Sequence, residues 1–453
     1  MSSNRGKSLS RTGVITAITI GNALEFFDFT VYGFLAITIG RLFFPMEDSY
    51  SQLLLAVGSF GVGFIMRPIG AVVIGVFADR AGRKRAMTLT VFLMALGCLV
   101  IAIAPTYAQV GIGGALMIVA GRLIQGFSAG GEFGASTTLL AEHSTPANRG
   151  YMASWQLASQ GLGILTGALI VGLLTYSLDS KSMSSWGWRI PFIVGLLIAP
   201  IGMYIRRRLN ESLHVSQLSR SDETRQKRKG SLHLLLRDHW STVVFAIFNV
   251  IGTTTAAYVT TFYLPTYAIK ELHIAPTVAL TGAALTGLVT FVLSPIVGRW
   301  SDKVGRKRLI LVSRLLLIVL VFPAFLWLTE WRTPMALLSV LVILSALLVI
   351  QGVPGIVMLP EMFPMHVRAT GISVTYSVGV AVFGGFAPLA NAWLVSALNT
   401  TLAPAWYLGV MTLISLYGLH YLKDHTGTDI DKGNEGAFNR TTAQQEREWN
   451  ISR

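Results

Sequence analysis

Twelve apolar runs recur along this chain, each long enough to cross the roughly 30 Å hydrocarbon core of a bilayer as a helix of about 20 residues, and they leave little choice of fold. They fall at about residues 13–42, 50–78, 86–104, 108–142, 149–177, 187–206, 240–269, 276–300, 309–329, 334–360, 369–397 and 404–422. Composition agrees. Of 453 residues, 52% are hydrophobic and only 13% charged, with a mean hydropathy of +0.59, outside the range of soluble domains. The expectation is an all-α integral membrane protein. The basic start, MSSNRGKSLSR, precedes a run too long for the apolar core of a signal peptide and without a small-residue cleavage site, so the first span is read as retained.

Charge placement sets an expected orientation. With both termini cytoplasmic, 28 of the 36 Lys and Arg fall on the cytoplasmic side, four outside (Arg41, Lys181, Lys270, Arg332) and four within or at the edges of spans. The net charge of +14 then faces anionic lipid and serves topology, not nucleic-acid binding. This describes a multi-pass protein of the cytoplasmic (inner) membrane, expected to act as a monomer. The single Cys98 lies in an apolar run, excludes a disulfide framework and reads as packing. His233, His239 and His273 lie in loops or at span ends, no His or Cys cluster has metal-ligand spacing, and no phosphate-binding glycine loop is found. Neither a metal, a cofactor nor direct ATP drive is expected.

The chain also repeats. A polar stretch from Arg206 to Ser231 divides six spans from six, giving an N-terminal bundle (1–205), a cytoplasmic linker (206–239), a C-terminal bundle (240–424) and a flexible cytoplasmic tail (425–453). GVFADRAGRKR begins at Gly75 and GRWSDKVGRKR at Gly298, each after the second span of its half. A second echo sets Glu142 and Arg149 seven apart after span four, and Glu361 and Arg368 seven apart after span ten. Twelve helices in two pseudo-symmetric six-helix bundles are what alternating access needs, since similar bundles rock about a site held between them.

The stretch GNALEFFDFTVYGF places Glu25 and Asp28 inside an apolar helix. Asp28 falls near mid-span, with Glu25 about one turn nearer the cytoplasm. Span four adds Arg122, Gln125 and Glu132, whose offsets at 100° per residue fall within about 80° of one another, and span two adds Arg67. Five ionisable groups in the middle third of one half are tolerated only where they face an interior or wet cavity and pair. Three acids against two arginines leave one excess carboxylate, which the membrane interior favours as the neutral acid. Either that group carries protons or the set is two structural ion pairs plus one permanently protonated acid. The first reading is preferred, with Asp28 as the proton-sensitive partner of Arg122 and Glu25 the more structural acid. The second half is read as lacking an acid or base at comparable depth, since Arg314 and Glu361 lie nearer its cytoplasmic ends. It offers instead Asn249, Thr253, Tyr258, Tyr263, Gln351 and Tyr376. Candidate substrate contacts are Arg122, Arg67, Asn22, Tyr32, Gln125, Gln156, Gln160, Tyr258 and Tyr376. Trp186, Trp188 and Arg189 are read as an interfacial anchor.

The repeated G-x-x-x-D-R/K-x-G-R-K-R resembles the loop motif of the major facilitator superfamily, and GRLIQGFSAGGEFG from Gly121 its fourth-helix motif. With NALEFFDF, MRPIGAVVIG, WGWRIPF and FYLPTY, the chain is similar to the metabolite:proton symporters from about residue 11 to 424. The resemblance implies proton-coupled import of a small organic anion such as a mono-, di- or tricarboxylate, or else of a zwitterion such as proline or betaine. A membrane enzyme or non-transporting sensor is disfavoured, because no catalytic constellation or signalling domain is found. The loop residues (Gly75, Asp79, Gly82 and Arg83; Gly298, Asp302, Gly305 and Arg306) are implied to gate, the glycines allowing close contact or tight turns. Each Asp is implied to latch onto a helix N-terminus of the other half.

Overall fold

In the computed structural model, which describes residues 11–46, 49–207, 231–365 and 367–429, the chain is helical, with no strand among the described residues. Twelve long helices follow one another: α1 (Arg11–Phe43), α2 (Ser49–Ala81), α3 (Arg83–Ala102), α4 (Ile112–Glu142), α5 (Arg149–Ser177), α6 (Ile190–Arg207), α7 (Trp240–Lys270), α8 (Pro276–Val304), α9 (Arg306–Trp331), α10 (Pro334–Met362), α11 (Arg368–Leu398) and α12 (Ala403–Tyr421). Eleven are long and apolar enough to cross a membrane. The twelfth, diluted by Trp406, Tyr407, Tyr417, His420 and Tyr421, is 19 residues long, roughly 28 Å, and packs against α7 and α9.

Helices α1–α6 pack on one another, as do α7–α12, and the two sets meet along α5 against α8 and along α2 and α4 against α11. Close approach explains the first contact: a Cβ on Gly150 would come 2.5 Å from the Gly298 carbonyl oxygen, and one on Gly298 2.6 Å from that of Gly150. The expected close packing thus holds for Gly298. At Gly75 the nearest atoms to a Cβ stand at 3.6 Å, ordinary contact, because α2 leaves room beside Ser373 and Thr370 of α11. Gly82 and Gly305 each turn the chain between two helices at φ of 98° and 102°, a region disfavoured for any residue with a side chain.

Two helices of the second half carry a π-helical turn that the apolar pattern does not announce: Val259–Tyr263 in α7 and Ala381–Gly385 in α11. Each ends shortly before a proline, Pro265 and Pro388, whose ring clashes with the carbonyl four residues back and whose nitrogen cannot donate. That carbonyl, of Thr261 or Gly384, lies within the π turn.

Most of the linker (208–230) and the tail from residue 430 lie outside the described residues. Ser231–Asp238 is a short helix. Of the tail expected from residue 425, Thr426 and Thr428 are hydrogen-bonded to helix ends, as described below. Trp188 departs from the anchor expectation: it is fully buried, with Phe43 and Phe192 edge-on to it at 5.3 and 6.2 Å, so its indole is core. Trp186 stays exposed, and Arg189 donates to the Ala102, Ala104 and Ser185 carbonyls.

Candidate functional site

All five intramembrane charges of the first half are buried, on three neighbouring helices. Arg122 Nη1 donates to Asp28 Oδ2 at 2.7 Å and to Gln125 Oε1 at 2.9 Å, while Gln125 Nε2 donates to Asp28 Oδ1 at 2.9 Å. One turn of α4 thus presents both groups to the acid on α1, as the Arg-x-x-Gln spacing requires. The ring of Tyr32 lies 3.5 Å from the Arg122 guanidinium carbon, and its hydroxyl shares a 2.5 Å hydrogen bond with Ser59. Glu25 pairs with Arg67, whose guanidinium lies over Phe29 and Phe64 at 4.9 and 4.6 Å. Glu132 accepts a hydrogen bond from Thr90. The set is one tight Asp–Arg–Gln cluster, a separate Glu–Arg pair and a third acid beside a hydroxyl.

Other candidates divide. Asn22 donates to the Gln156 carbonyl and to Ser159, and Gln156 donates to Ser136, so these two tie α1, α4 and α5 together. Gln160 stands beside Tyr376 across the halves, and Tyr376 stacks flat on Phe133. Tyr258 packs edge-on against Phe64, 5.5 Å away, and its buried hydroxyl has no hydrogen-bond partner among the described residues. Arg67, Phe64, Tyr258, Gln160 and Tyr376 therefore face one another where the halves meet.

From Tyr32 outward a cavity of about 390 Å³ opens toward the end of the molecule away from the loop motifs, lined by α1, α5, α7, α8 and α11, including Phe262 and Tyr263. The opposite, motif-bearing end is shut. Asp302 accepts from the Gly150 and Tyr151 amides at 2.7 and 3.0 Å, capping the N-terminus of α5 from the other half, and from Arg306 at 2.8 Å. Arg149 crosses the same gap to Glu361 at 2.8 Å, which also takes Arg306 at 3.3 Å. The seven-residue echo is therefore not an intramotif pair: Glu142 bonds Arg83 and Glu361 bonds Arg149 and Arg306. Asp79 ends α2, but its side chain lies outside the described residues.

Three features escaped the sequence. Cys98 belongs to the cluster, with its Sγ 3.6 Å from Asp28 Oδ1 and 3.4 Å from Gln125 Nε2, and nothing in its apolar surroundings signalled this. Arg314 is fully buried inside the second half. It lies eight residues, roughly 12 Å, into α9, against roughly 15 Å for Glu132 from the end of α4, so the expectation of no charge at comparable depth fails. Third, the segment after α12 straps the motif end: Asp424 Oδ2 accepts from the Lys307 amide at 3.0 Å, Thr426 Oγ1 from the Arg306 amide at 3.1 Å, and the Thr428 carbonyl from Arg149 at 3.2 Å.

The Major Facilitator Superfamily signature matches residues 18–388 and again 270–447. The chain is 36% identical over 404 residues to the citrate-proton symporter of Salmonella typhi, covering 89% of this chain and 92% of that one. It is 32% identical over 410 residues to the proline/betaine transporter of Escherichia coli (strain K12), covering 89% and 81%. Among solved structures, the proton:xylose symporter XylE superposes with a TM-score of 0.79 at 18% identity, covering 92% of this chain and 97% of that one, a likeness of fold. The chain belongs to the Major Facilitator Superfamily, and within it to the metabolite:proton symporters.

Proposed function

We propose that this protein is a proton-coupled symporter that imports a small organic acid across the cytoplasmic membrane by alternating access. The observation that carries the reading is the Asp28–Arg122–Gln125 cluster, fully buried behind Tyr32, whose ring covers Arg122 and lines the cavity described above. Protonation of Asp28 releases Arg122 from its acid, so the proton and an anionic substrate arrive together, each making the other's binding favourable. Arg67, flanked by Phe29, Phe64 and Tyr258, offers a second cation at the meeting of the halves. Lys and Arg concentrate at the motif-bearing end, which supports a cytoplasmic placement of both termini and an outward-facing arrangement with the inner gate shut. Asp302, Arg149, Glu361 and Arg306 then form that gate. The citrate-proton relatives favour an acid as cargo.

A zwitterion such as proline or betaine is the second reading, favoured by the aromatic rings about Arg67, a surrounding that also suits quaternary ammonium, and by the proline/betaine relatives. Uptake by reconstituted protein of a panel of carboxylates, proline and betaine, with an imposed inward proton gradient, decides. Accumulation of an acid that collapses with a protonophore supports the proposal. Accumulation that follows sodium and ignores pH overturns the coupling, and accumulation of betaine alone overturns the cargo.

A further inference from the structure

Arg314 differs from Arg67 and Arg122, each of which is paired with a carboxylate. Its Nε donates to Gln351 Oε1 at 3.2 Å, Nη2 to the Asn249 carbonyl at 2.7 Å and Nη1 to the Ser415 carbonyl at 3.2 Å, so the guanidinium is wedged among α7, α10 and α12. Every acceptor is neutral, and no carboxylate pairs with it among the described residues. A neutral side chain would tie the three helices together without the penalty of a buried, uncompensated charge.

What lies in front of that charge is unsatisfied. With Gln351 Oε1 taken by Arg314, the Gln351 Nε2 is left buried and without a partner, as are Asn249 Oδ1 and Thr253 Oγ1. The helix face beside them is lined by glycines and closely packed in this arrangement. A Cβ on Gly355 would stand 3.5 Å from Thr253 Oγ1, and one on Gly352 3.3 Å from Thr253 Cγ2 and 3.2 Å from Leu157 of α5, in the first half. The Arg314 cluster is therefore one layer behind the surface along which the two halves part. Thr253 lies five residues, roughly 7.5 Å along α7, from Tyr258, which stands beside Arg67.

We propose that Gln351 Nε2 and Thr253 Oγ1 receive a second carboxylate of the substrate, with Arg314 as the positioning residue that aims Gln351 and supplies the unbalanced positive charge, so that the cargo is a diacid or triacid and not a monoacid. This rests on the organic-acid reading and narrows it. One carboxylate faces the arginines of the first half, and the other reaches the neutral donors of the second, backed by a charge that no protein acid cancels. A zwitterion presents nothing for this wall.

The test measures KM and kcat for lactate, succinate, citrate and betaine in vesicles reconstituted with the full chain, for the wild type, Arg314→Gln, Arg314→Lys and Gln351→Ala. The wild type is expected to prefer succinate or citrate to lactate. Arg314→Gln and Gln351→Ala should raise the succinate-to-lactate KM ratio about tenfold, a size typical of one lost charge-assisted contact, and Arg314→Lys should recover part of it. Gln351→Ala keeps the test decisive if Arg314→Gln does not fold. An unchanged ratio in the folded variants overturns the proposal while leaving acid transport standing. Transport of betaine with no acid carried overturns both, and the wild type alone reveals it.

Discussion

The two halves repeat each other in helix count, in loop motif and in the buried Arg–Glu pairs at the motif end, yet they differ where the membrane is thickest. The first half sets three acids and two arginines on three neighbouring helices, each arginine paired with a carboxylate. The second holds one arginine with neutral acceptors, a set of unsatisfied hydroxyls and amides, and two helices opened by π turns beside prolines. On the proposed function the duplicated scaffold is divided, with the paired charges of one bundle assigned to the proton and the donors of the other to the solute. Coupling then requires only that both bundles contribute to one site between them, where Gln160 meets Tyr376 and Phe64 meets Tyr258.

The largest way to break this contrast is Arg122→Ala. It strips Asp28 and Gln125 of their shared partner, and removing one member of a buried pair costs about 3–5 kcal/mol. We predict loss of transport by at least a hundredfold together with a lower melting temperature in detergent, and Arg122→Lys should rescue folding better than transport, since an ammonium cannot bond both groups in the guanidinium's plane. Retained uptake in Arg122→Ala would place coupling elsewhere. In the second half, Tyr258→Phe should act oppositely, raising KM about tenfold with the pH dependence of uptake unchanged. A shifted pH profile in that variant would blur the division.

A smaller effect is expected at the motif end, where the contrast is one of gating. Asp302→Asn weakens the cap on α5, and we predict a roughly tenfold shift toward the form open at this end, read as faster labelling of a cysteine introduced near Ser154, with binding affinity at the centre little changed. Smallest of all should be truncation after Lys423, which removes the strap on Arg306, Lys307 and Arg149 and should speed the same labelling severalfold. Within the strap, burial raises the Asp424 carboxyl, but the Thr426 hydroxyl, the Lys307 and Thr426 amides and the Arg306 charge outweigh it and hold it below the ordinary carboxylate range. A depressed folded value means that the strap is at full strength above about pH 4, the unfolded value, and fails only as pH falls through the folded one. Labelling should therefore be flat between pH 8 and pH 5 as far as Asp424 is concerned.

Much of this was readable from the chain, for identifiable reasons. Helix number followed from apolar length, and the depth of Glu25, Asp28, Arg67 and Arg122 followed from position within each span, so their pairing was close to forced. Asp302 was legible because its motif recurs. Arg314 was not, because its acceptors are two backbone carbonyls and one amide side chain, on α7, α12 and α10, which no motif or nearby acid in the sequence announces. Cys98 gave no signal at all, since a thiol beside a carboxylate looks in sequence like any small apolar residue. The strap consists of ordinary polar residues after the last span, and its role depends on which helix ends happen to lie within reach. Trp188 misled because an aromatic at a span boundary usually faces lipid headgroups, whereas here the single 3-10 turn Gly187–Arg189 ahead of α6 places it inward against Phe43.

The division of labour between the halves is tested most directly by Asp28→Asn, which mimics the protonated acid while keeping its shape. Vesicles loaded with unlabelled substrate should exchange it for labelled substrate nearly as fast as the wild type, because the site and the rocking motion survive. The same vesicles given an inward proton gradient should show no accumulation above equilibrium, because the group that changes charge is gone. Full proton-driven accumulation in Asp28→Asn would contradict the account and move the coupling acid to another carboxylate, Glu132 first.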